Sequence, residues 1–399
     1  MDWQAVLATR GGRMKASEIR ELLKLLDRPE VLSFAGGIPD PALFPADAFR
    51  TAMAEALSGP AAGVALQYSV SEGYRPLRDW LAGRMADLGV PCDADNILIT
   101  SGSQQALDYL GKLLLDPGDT MLLGWPTYLG ALGAFNAYEP CFDRFDPSDN
   151  RAPLDAAAAA AGRVKALYLT PDFANPTGET LTLAQREAAL DRAEALNAAL
   201  IEDGAYQVLR YDGTPVPAIL ALEIARKGSI EACRTLYCGS FSKTLAPGLR
   251  VGWICAAKPV IRWLVLMKQA SDLHSPTLNQ IATEHVARTI FDTHTARIRT
   301  VYRARRDAML AALDRHMPEG VRWSRPEGGM FVWLTLPRGT DGAALLARSL
   351  ETERVAFVPG RAFFADGSNG NTLRLSFSCA DAAMIEEGMM RLGRVLRAS

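Results

Sequence analysis

Histidine is scarce in this chain: four residues in 399, with no H-E-x-x-H spacing. No zinc or other metal centre is therefore expected. The six cysteines (Cys92, Cys141, Cys233, Cys238, Cys255 and Cys379) are scattered and form no C-x-x-C pair. That usage points to reduced thiols in a cytoplasmic protein rather than to a disulfide framework. Net charge is nearly absent as well: 43 Lys and Arg oppose 45 Asp and Glu, a formal -2. The balance argues against a nucleic-acid coat and against a polybasic membrane binder. No uncharged apolar run is long enough to cross a bilayer, and the first thirty residues hold no signal-peptide core. Repeats and low-complexity tracts are missing, apart from an alanine-rich run at Asp155–Gly162 that reads as a surface helix.

What is present is an ordinary globular composition, 49% hydrophobic and 22% charged. The length suggests two or three domains, or one large and one small. From Asn96 the pattern alternates. Short apolar runs at Asn96–Thr100, Thr120–Leu123, Lys165–Thr170, Ala199–Glu202, Thr235–Cys238 and Val251–Cys255 read as strands. Helical patterns at Ser103–Leu115, Thr127–Ala137 and Leu183–Asn197 separate the first of them. Buried strands between amphipathic helices predict an α/β fold, a mostly parallel sheet covered on both faces. Ligands of such sheets bind at the carboxyl ends of the strands. After Ser275 the texture changes. Helices at Asn279–Ile290 and Ile298–Arg315 precede short strands at Met330–Leu334 and Asn371–Phe377 and a last helix at Ala380–Leu396. This reads as a smaller α+β domain.

Five segments carry chemistry. Gly239–Trp253 (GSFSKTLAPGLRVGW) follows a predicted strand and gathers Ser240, Ser242, Lys243 and Arg250. Hydroxyls, an arginine and an amine in one loop suit a phosphate-bearing ligand beside a nucleophile. Its S-x-x-K does not mark a penicillin-recognising enzyme, because the S-D-N at Ser148–Asn150 lies upstream and no K-T-G follows. Nor is it a P-loop, since the G-x-x-x-x-G-K spacing is missing. Thr100–Asp108 (TSGSQQALD) is a small-residue turn opening a helix, whose free N–H groups make an anion site. Thr170–Gly178 (TPDFANPTG) presents Asn175 after a strand. Ile201–Tyr206 (IEDGAY) places Asp203 and Tyr206 three residues apart at a strand end. A buried carboxylate there needs a cationic partner, which a protonated heteroaromatic nitrogen would supply. Finally, Arg374 lies inside the apolar strand Thr372–Phe377 (TLRLSF) and wants a carboxylate, from the protein or from a substrate. Taken singly, each segment also fits a structural role: a polar loop, a capped turn, a turn-forming Asn, a capping Asp, an internal salt bridge.

Taken together and in this order, the five segments resemble the fold-type I pyridoxal-phosphate enzymes, in particular the class I/II aminotransferases. The resemblance extends to the 2-aminoadipate, kynurenine and aromatic aminotransferases through ASEIRELLKLL (Ala16–Leu26), LSFAGGIPD (Leu32–Asp40), LQYSVSEGYRPLR (Leu66–Arg78), RPEGGMFVWL (Arg325–Leu334) and VAFVPGRAFF (Val355–Phe364). It implies a seven-stranded-type sheet in a large cofactor-binding domain, residues 46–290. A small domain would combine residues 1–45 and 291–399.

The resemblance also implies roles. Lys243 would link covalently to pyridoxal 5'-phosphate and then move the proton at the substrate α-carbon. Asp203 would pair with the ring nitrogen, and Tyr206 and Asn175 would hydrogen-bond the ring hydroxyl. Tyr128 would stack on the ring. Gly102, Ser103 and Gln104 would hold the phosphate with Ser240, Ser242 and Arg250, and Tyr68 would reach it from the neighbouring subunit of a homodimer. Arg374 would clamp the α-carboxylate with Asn175 and the Gly37 backbone. Arg20, with Ser17 a turn before it, would meet a distal carboxylate or else remain a solvated helix arginine.

Two departures from the relatives fall close to the ring or the substrate: Gly204 replaces a common acidic residue, and Asp172-Phe173-Ala174 precedes Asn175. The expected reaction is ping-pong transfer of an amino group from a broad set of L-amino acids to a 2-oxo acid such as 2-oxoglutarate. Another reaction of the same cofactor, a β-lyase or a decarboxylase, is the alternative. A transcription factor with an aminotransferase-like sensor is set aside, because the motifs begin by about Ala16 and leave no room for a winged helix.

Overall fold

The computed structural model describes residues 3–14, 30–148 and 163–398. The segment Ala16–Leu26 with Ser17 and Arg20, and the alanine-rich run Asp155–Gly162, lie outside the described residues. In chain order the strands are β1 (Leu32–Ser33), β2 (Ile97–Thr100), β3 (Thr120–Leu123), β4 (Cys141–Arg144), β5 (Val164–Leu169), β6 (Ala199–Asp203), β7 (Thr235–Ser240), β8 (Gly252–Cys255), β9 (Arg322–Trp323), β10 (Phe331–Thr335), β11 (Val355–Ala356), β12 (Val358–Pro359) and β13 (Thr372–Ser376).

Seven of them form one sheet in the order β2-β8-β7-β6-β5-β3-β4. The pairs from β7 through β6, β5 and β3 to β4 are parallel, and β8 is antiparallel to both of its neighbours. All the strands except β8 therefore run the same way. Their carboxyl ends share one edge, and the reversed β8 brings its amino end, with Arg250 just before it, to that edge too. β2 and β3 are buried along their whole length, which explains why they read as unbroken apolar runs. Edge strand β4, Cys-Phe-Asp-Arg, is only half-buried and has no apolar run to betray it.

A second sheet, β12-β13-β10-β9, is antiparallel, and β1 pairs with β11 in parallel. Its core includes Phe34, Phe331, Leu373, Leu375, Ile385 and Met389, and is continuous with Phe173 and Tyr206 from the edge of the large sheet. The helices expected at Asn279–Ile290 and Ile298–Arg315 are one element, Thr277–His316, 40 residues long. The intervening stretch contains Thr293 and Thr295, weak helix formers, but Phe291, His294 and Thr295 are buried and tertiary packing carries the helix through.

Candidate active site

The strand ends converge on a cavity of about 130 Å³ lined by Ser103, Gln104, Tyr128, Asn175, Asp203, Tyr206, Ser240, Ser242, Lys243 and Arg250. Ten sequence-predicted site residues thus meet at one point. Thr170, Ala205 and Pro247 line it too and carry no sequence signal of their own.

One wall is built for an anion. Ser103 and Gln104 are the first two residues of the helix Ser103–Leu114, so their N–H groups have no partner within it. Gly102 before them has φ 79°, and a Cβ there would sit 2.5 Å from Arg250 Nη2. Only glycine allows the guanidinium to lie against this turn. Arg250 Nη2 donates to Ser101 O at 3.0 Å. Opposite, Ser240 Oγ accepts from Ser242 N at 3.1 Å and donates to Ser242 Oγ at 2.9 Å, turning both hydroxyls to one side. The Gln104 side chain donates to Gly130 O instead, at 2.7 Å, leaving its backbone as the group that faces an anion.

The floor holds Asp203, buried at the end of β6. It accepts from Tyr168 Oη at 2.7 Å and Ala205 N at 3.3 Å. No cation is ion-paired to it among the described residues. Burial pushes its pKa up, against the Tyr168 hydrogen bond. A cationic ring nitrogen would relieve that strain.

Lys243 follows β7, and its Nζ donates to Gly37 O at 3.0 Å. Burial, then the positive charges of Arg374 and Arg250, lower its pKa to about 8. About a tenth of the amine is therefore unprotonated at neutral pH, far more than for an ordinary lysine, as a nucleophile or base requires.

Arg374 does not line the cavity but is joined to it. It lies in the centre of β13, opposite Trp333 and Val358, and is 1% exposed. Nη1 donates to Asn175 Oδ1 at 2.7 Å and Nη2 to Ala35 O at 2.8 Å. Nε has no hydrogen-bond partner among the described residues. The guanidinium stacks 4.3 Å from the Phe331 ring centroid and 5.1 Å from that of Phe363. No carboxylate pairs with it among the described residues, and burial lowers its pKa to about 10. The internal salt bridge that would explain it structurally is thus missing. Gly37 lies beside the guanidinium: a Cβ there would be 3.5 Å from Arg374 Nη2.

Tyr68 is elsewhere, 79% exposed and outside the cavity, edge-on to His274. The departures also find physical reasons. A Cβ at Gly204 would collide with the Tyr237 ring. Asp172 accepts from Arg186 at 2.8 Å and Arg210 at 3.4 Å, anchoring the loop that carries Asn175. Tyr168 belongs to no motif; a hydroxyl inside the buried strand β5 is its one mark in the sequence.

The donor set, the glycine turn under Arg250 and the unpaired Asp203 fit a phosphate-bearing heteroaromatic cation. Comparisons with known proteins agree. Residues 31–392 match the family model "Aminotransferase class I and II". The chain is 44% identical to a 2-aminoadipate transaminase of Thermus thermophilus, covering 100% of this chain and 98% of that protein. It is 41% identical to an aromatic-amino-acid aminotransferase of Thermococcus litoralis, with 100% and 95% covered. Among solved structures it superposes with TM-score 0.89, at 42% identity and over 100% and 99% of the chains, on the α-aminoadipate aminotransferase of Thermus thermophilus complexed with N-(5'-phosphopyridoxyl)-L-leucine. The chain belongs to the class I and II aminotransferases. It is a fold-type I aminotransferase, and its cofactor is pyridoxal 5'-phosphate.

Proposed function

We propose that this enzyme moves the amino group of a broad set of L-amino acids, with 2-aminoadipate, glutamate, aromatic amino acids and leucine as donors, to 2-oxoglutarate or a similar 2-oxo acid. The observation that carries this reading is Arg374: a fully buried guanidinium with no carboxylate partner among the described residues, next to Gly37, whose carbonyl accepts from Lys243. A buried charge of that kind is tolerated when a ligand completes it. The breadth of donors rests on relatives that act on aminoadipate and on aromatic amino acids.

When bound, pyridoxal 5'-phosphate supplies a carbonyl that accepts the amino group and a ring that withdraws electrons. Lys243 would hold the cofactor covalently. Ser103, the Gln104 backbone, Ser240, Ser242 and Arg250 would hold its phosphate, with Gly102 admitting Arg250. Tyr128 would cover the ring, while Asn175 and Tyr206 would hydrogen-bond its hydroxyl. Asp203 keeps a negative charge at the ring nitrogen. Arg374 and Asn175 orient the α-carboxylate, so that the α-hydrogen faces Lys243. Lys243 Nζ, displaced from the cofactor by the substrate's amine and with its pKa lowered to about 8, would take that proton from the α-carbon and deliver it to the cofactor's reacting carbon.

We assign residues 46–290 to the cofactor-binding body and residues 1–45 and 291–399 to the smaller unit. The Thr277–His316 helix crosses the boundary between them. A cytoplasmic homodimer is the proposed form. Leu66, Tyr68 and Val70 form an exposed apolar strip suited to a second copy, and Tyr68 would reach the partner's phosphate site. The six free cysteines suit a reducing compartment, and no described helix is long and apolar enough to cross a membrane. Arg20, with Ser17, is assigned to distal carboxylates. A donor panel against 2-oxoglutarate, on wild type and Arg20→Ala, tests this. Selective loss of 2-aminoadipate and glutamate turnover is expected, and equal loss for neutral donors would refute the Arg20 assignment.

A further inference from the structure

Behind the anion wall lies an ion pair, its lysine buried and its aspartate partly exposed, that none of the assigned roles uses. Lys268, at the end of the helix Lys258–Gln269, is 0% exposed. Its ammonium donates to Asp272 at 2.9 and 3.0 Å, to Gln105 Oε1 at 3.0 Å and to Ser275 Oγ at 3.0 Å. Burying the Lys268 ammonium costs several kcal/mol before its partners repay it. Its retention beside the site calls for a reason.

The reason is the orientation of one amide. Gln105 Nε2 donates to Asp272 Oδ2 at 2.7 Å while Oε1 accepts from Lys268. An ammonium can only donate and a carboxylate can only accept, so the pair forbids the flipped amide. Oε1 is thereby fixed where it also accepts from Ser101 N at 2.8 Å. The Ser101 hydroxyl is within 3.3 Å of Ser275 Oγ, which Lys268 also holds. Arg250 takes the Ser101 carbonyl. Ser101 is thus held at its N–H, hydroxyl and carbonyl, directly before Gly102 and the helix N-terminus at Ser103.

We propose that Lys268 and Asp272 are positioning residues which, through Gln105, set the Ser101–Ser103 turn for the cofactor's phosphate. The inference rests on the reading of this turn as the phosphate site. The double variant Lys268→Met/Asp272→Asn removes the pair without leaving one buried charge. Gln105→Leu leaves the pair and cuts its link to the Ser101 N–H, and serves if the double variant does not fold. The probes are pyridoxal 5'-phosphate and pyridoxal, which lacks the phosphate, each titrated into apoprotein. Wild type should prefer the phosphate ester strongly. Each variant should lose about 10- to 100-fold in affinity for the ester, the range for removing such supporting contacts around a bound group, and keep wild-type affinity for pyridoxal. Equal loss for both probes, or no loss for the ester, overturns the positioning role. A wild type that binds both equally overturns the phosphate reading of the turn, and the inference with it.

Discussion

The Tyr168 hydroxyl donates to Asp203 Oδ2 at 2.7 Å, deep in the sheet where both residues are buried. This bond favours the ionised carboxylate, against the burial that favours the neutral acid. A neighbour on the adjacent strand β5 therefore supports the Asp203 charge, together with the Ala205 N–H and Lys243. Tyr168→Phe removes the donor, and hydrogen bonds to charged groups are worth about 1.5–3 kcal/mol. The Asp203 pKa then rises, so the acid limb of kcat/KM against pH moves to higher pH, and kcat falls by about 10- to 100-fold. An unmoved limb would show that Asp203 needs no such support.

Arg374 supplies the second prediction. Altering one side of a buried charge pair costs about 2–5 kcal/mol. Lysine at 374 cannot donate to Asn175 and Ala35 and still present a fork to a carboxylate. Arg374→Lys should lower kcat/KM for every amino acid by about 10²- to 10³-fold. Its turnover of amines that lack an α-carboxylate, compared in the same assay, should change by less than about threefold.

The fold and much of the site were legible because the chemistry sits in short motifs at strand ends. Lys243, Asp203, Asn175 and Ser103 each follow a strand that reads as a buried run, and the topology then needs only one shared edge to bring them together. Arg374 was legible for another reason: a guanidinium inside an apolar strand is conspicuous. The supporting residues were not legible, since their meaning depends on distant pairings. Tyr168 meets Asp203 across 35 positions, and Gln105 meets Lys268 across 163. Edge strand β4 lacked a pattern, and the break expected near Thr293 was overruled by packing.

Lys243 makes a pH prediction. Its folded pKa, lowered to about 8 by burial and by two arginines, means the amine is protonated below that pH and free above it. Covalent capture of pyridoxal 5'-phosphate by apoprotein needs the free amine. The capture rate, followed by absorbance, should rise about tenfold per pH unit below pH 8 and level off above it. A rise that continues to the ordinary lysine value would contradict the lowered pKa.

Glu202, beside Asp203 but facing the helix Ile219–Lys227, affects stability instead. It accepts from Ile219 N at 2.8 Å and Leu220 N at 2.9 Å, yet burial raises its pKa from 4.5 to about 7. The folded state therefore binds this proton more tightly than the unfolded chain does. The contribution is present below pH 4.5 and is lost as pH rises towards 7, about 3 kcal/mol in all. Glu202→Gln cannot titrate. Denaturant unfolding of both proteins should show the variant gaining on wild type as pH rises through that window, and a constant difference would refute the raised pKa.

The central claim is that Lys243 is the residue that carries the cofactor. Borohydride reduction of the holoenzyme, followed by proteolysis and peptide mass mapping, tests it most directly. One phosphopyridoxyl group per chain is expected, on the peptide that contains Lys243. A label on any other lysine, or none after reduction of an active holoenzyme, would contradict it.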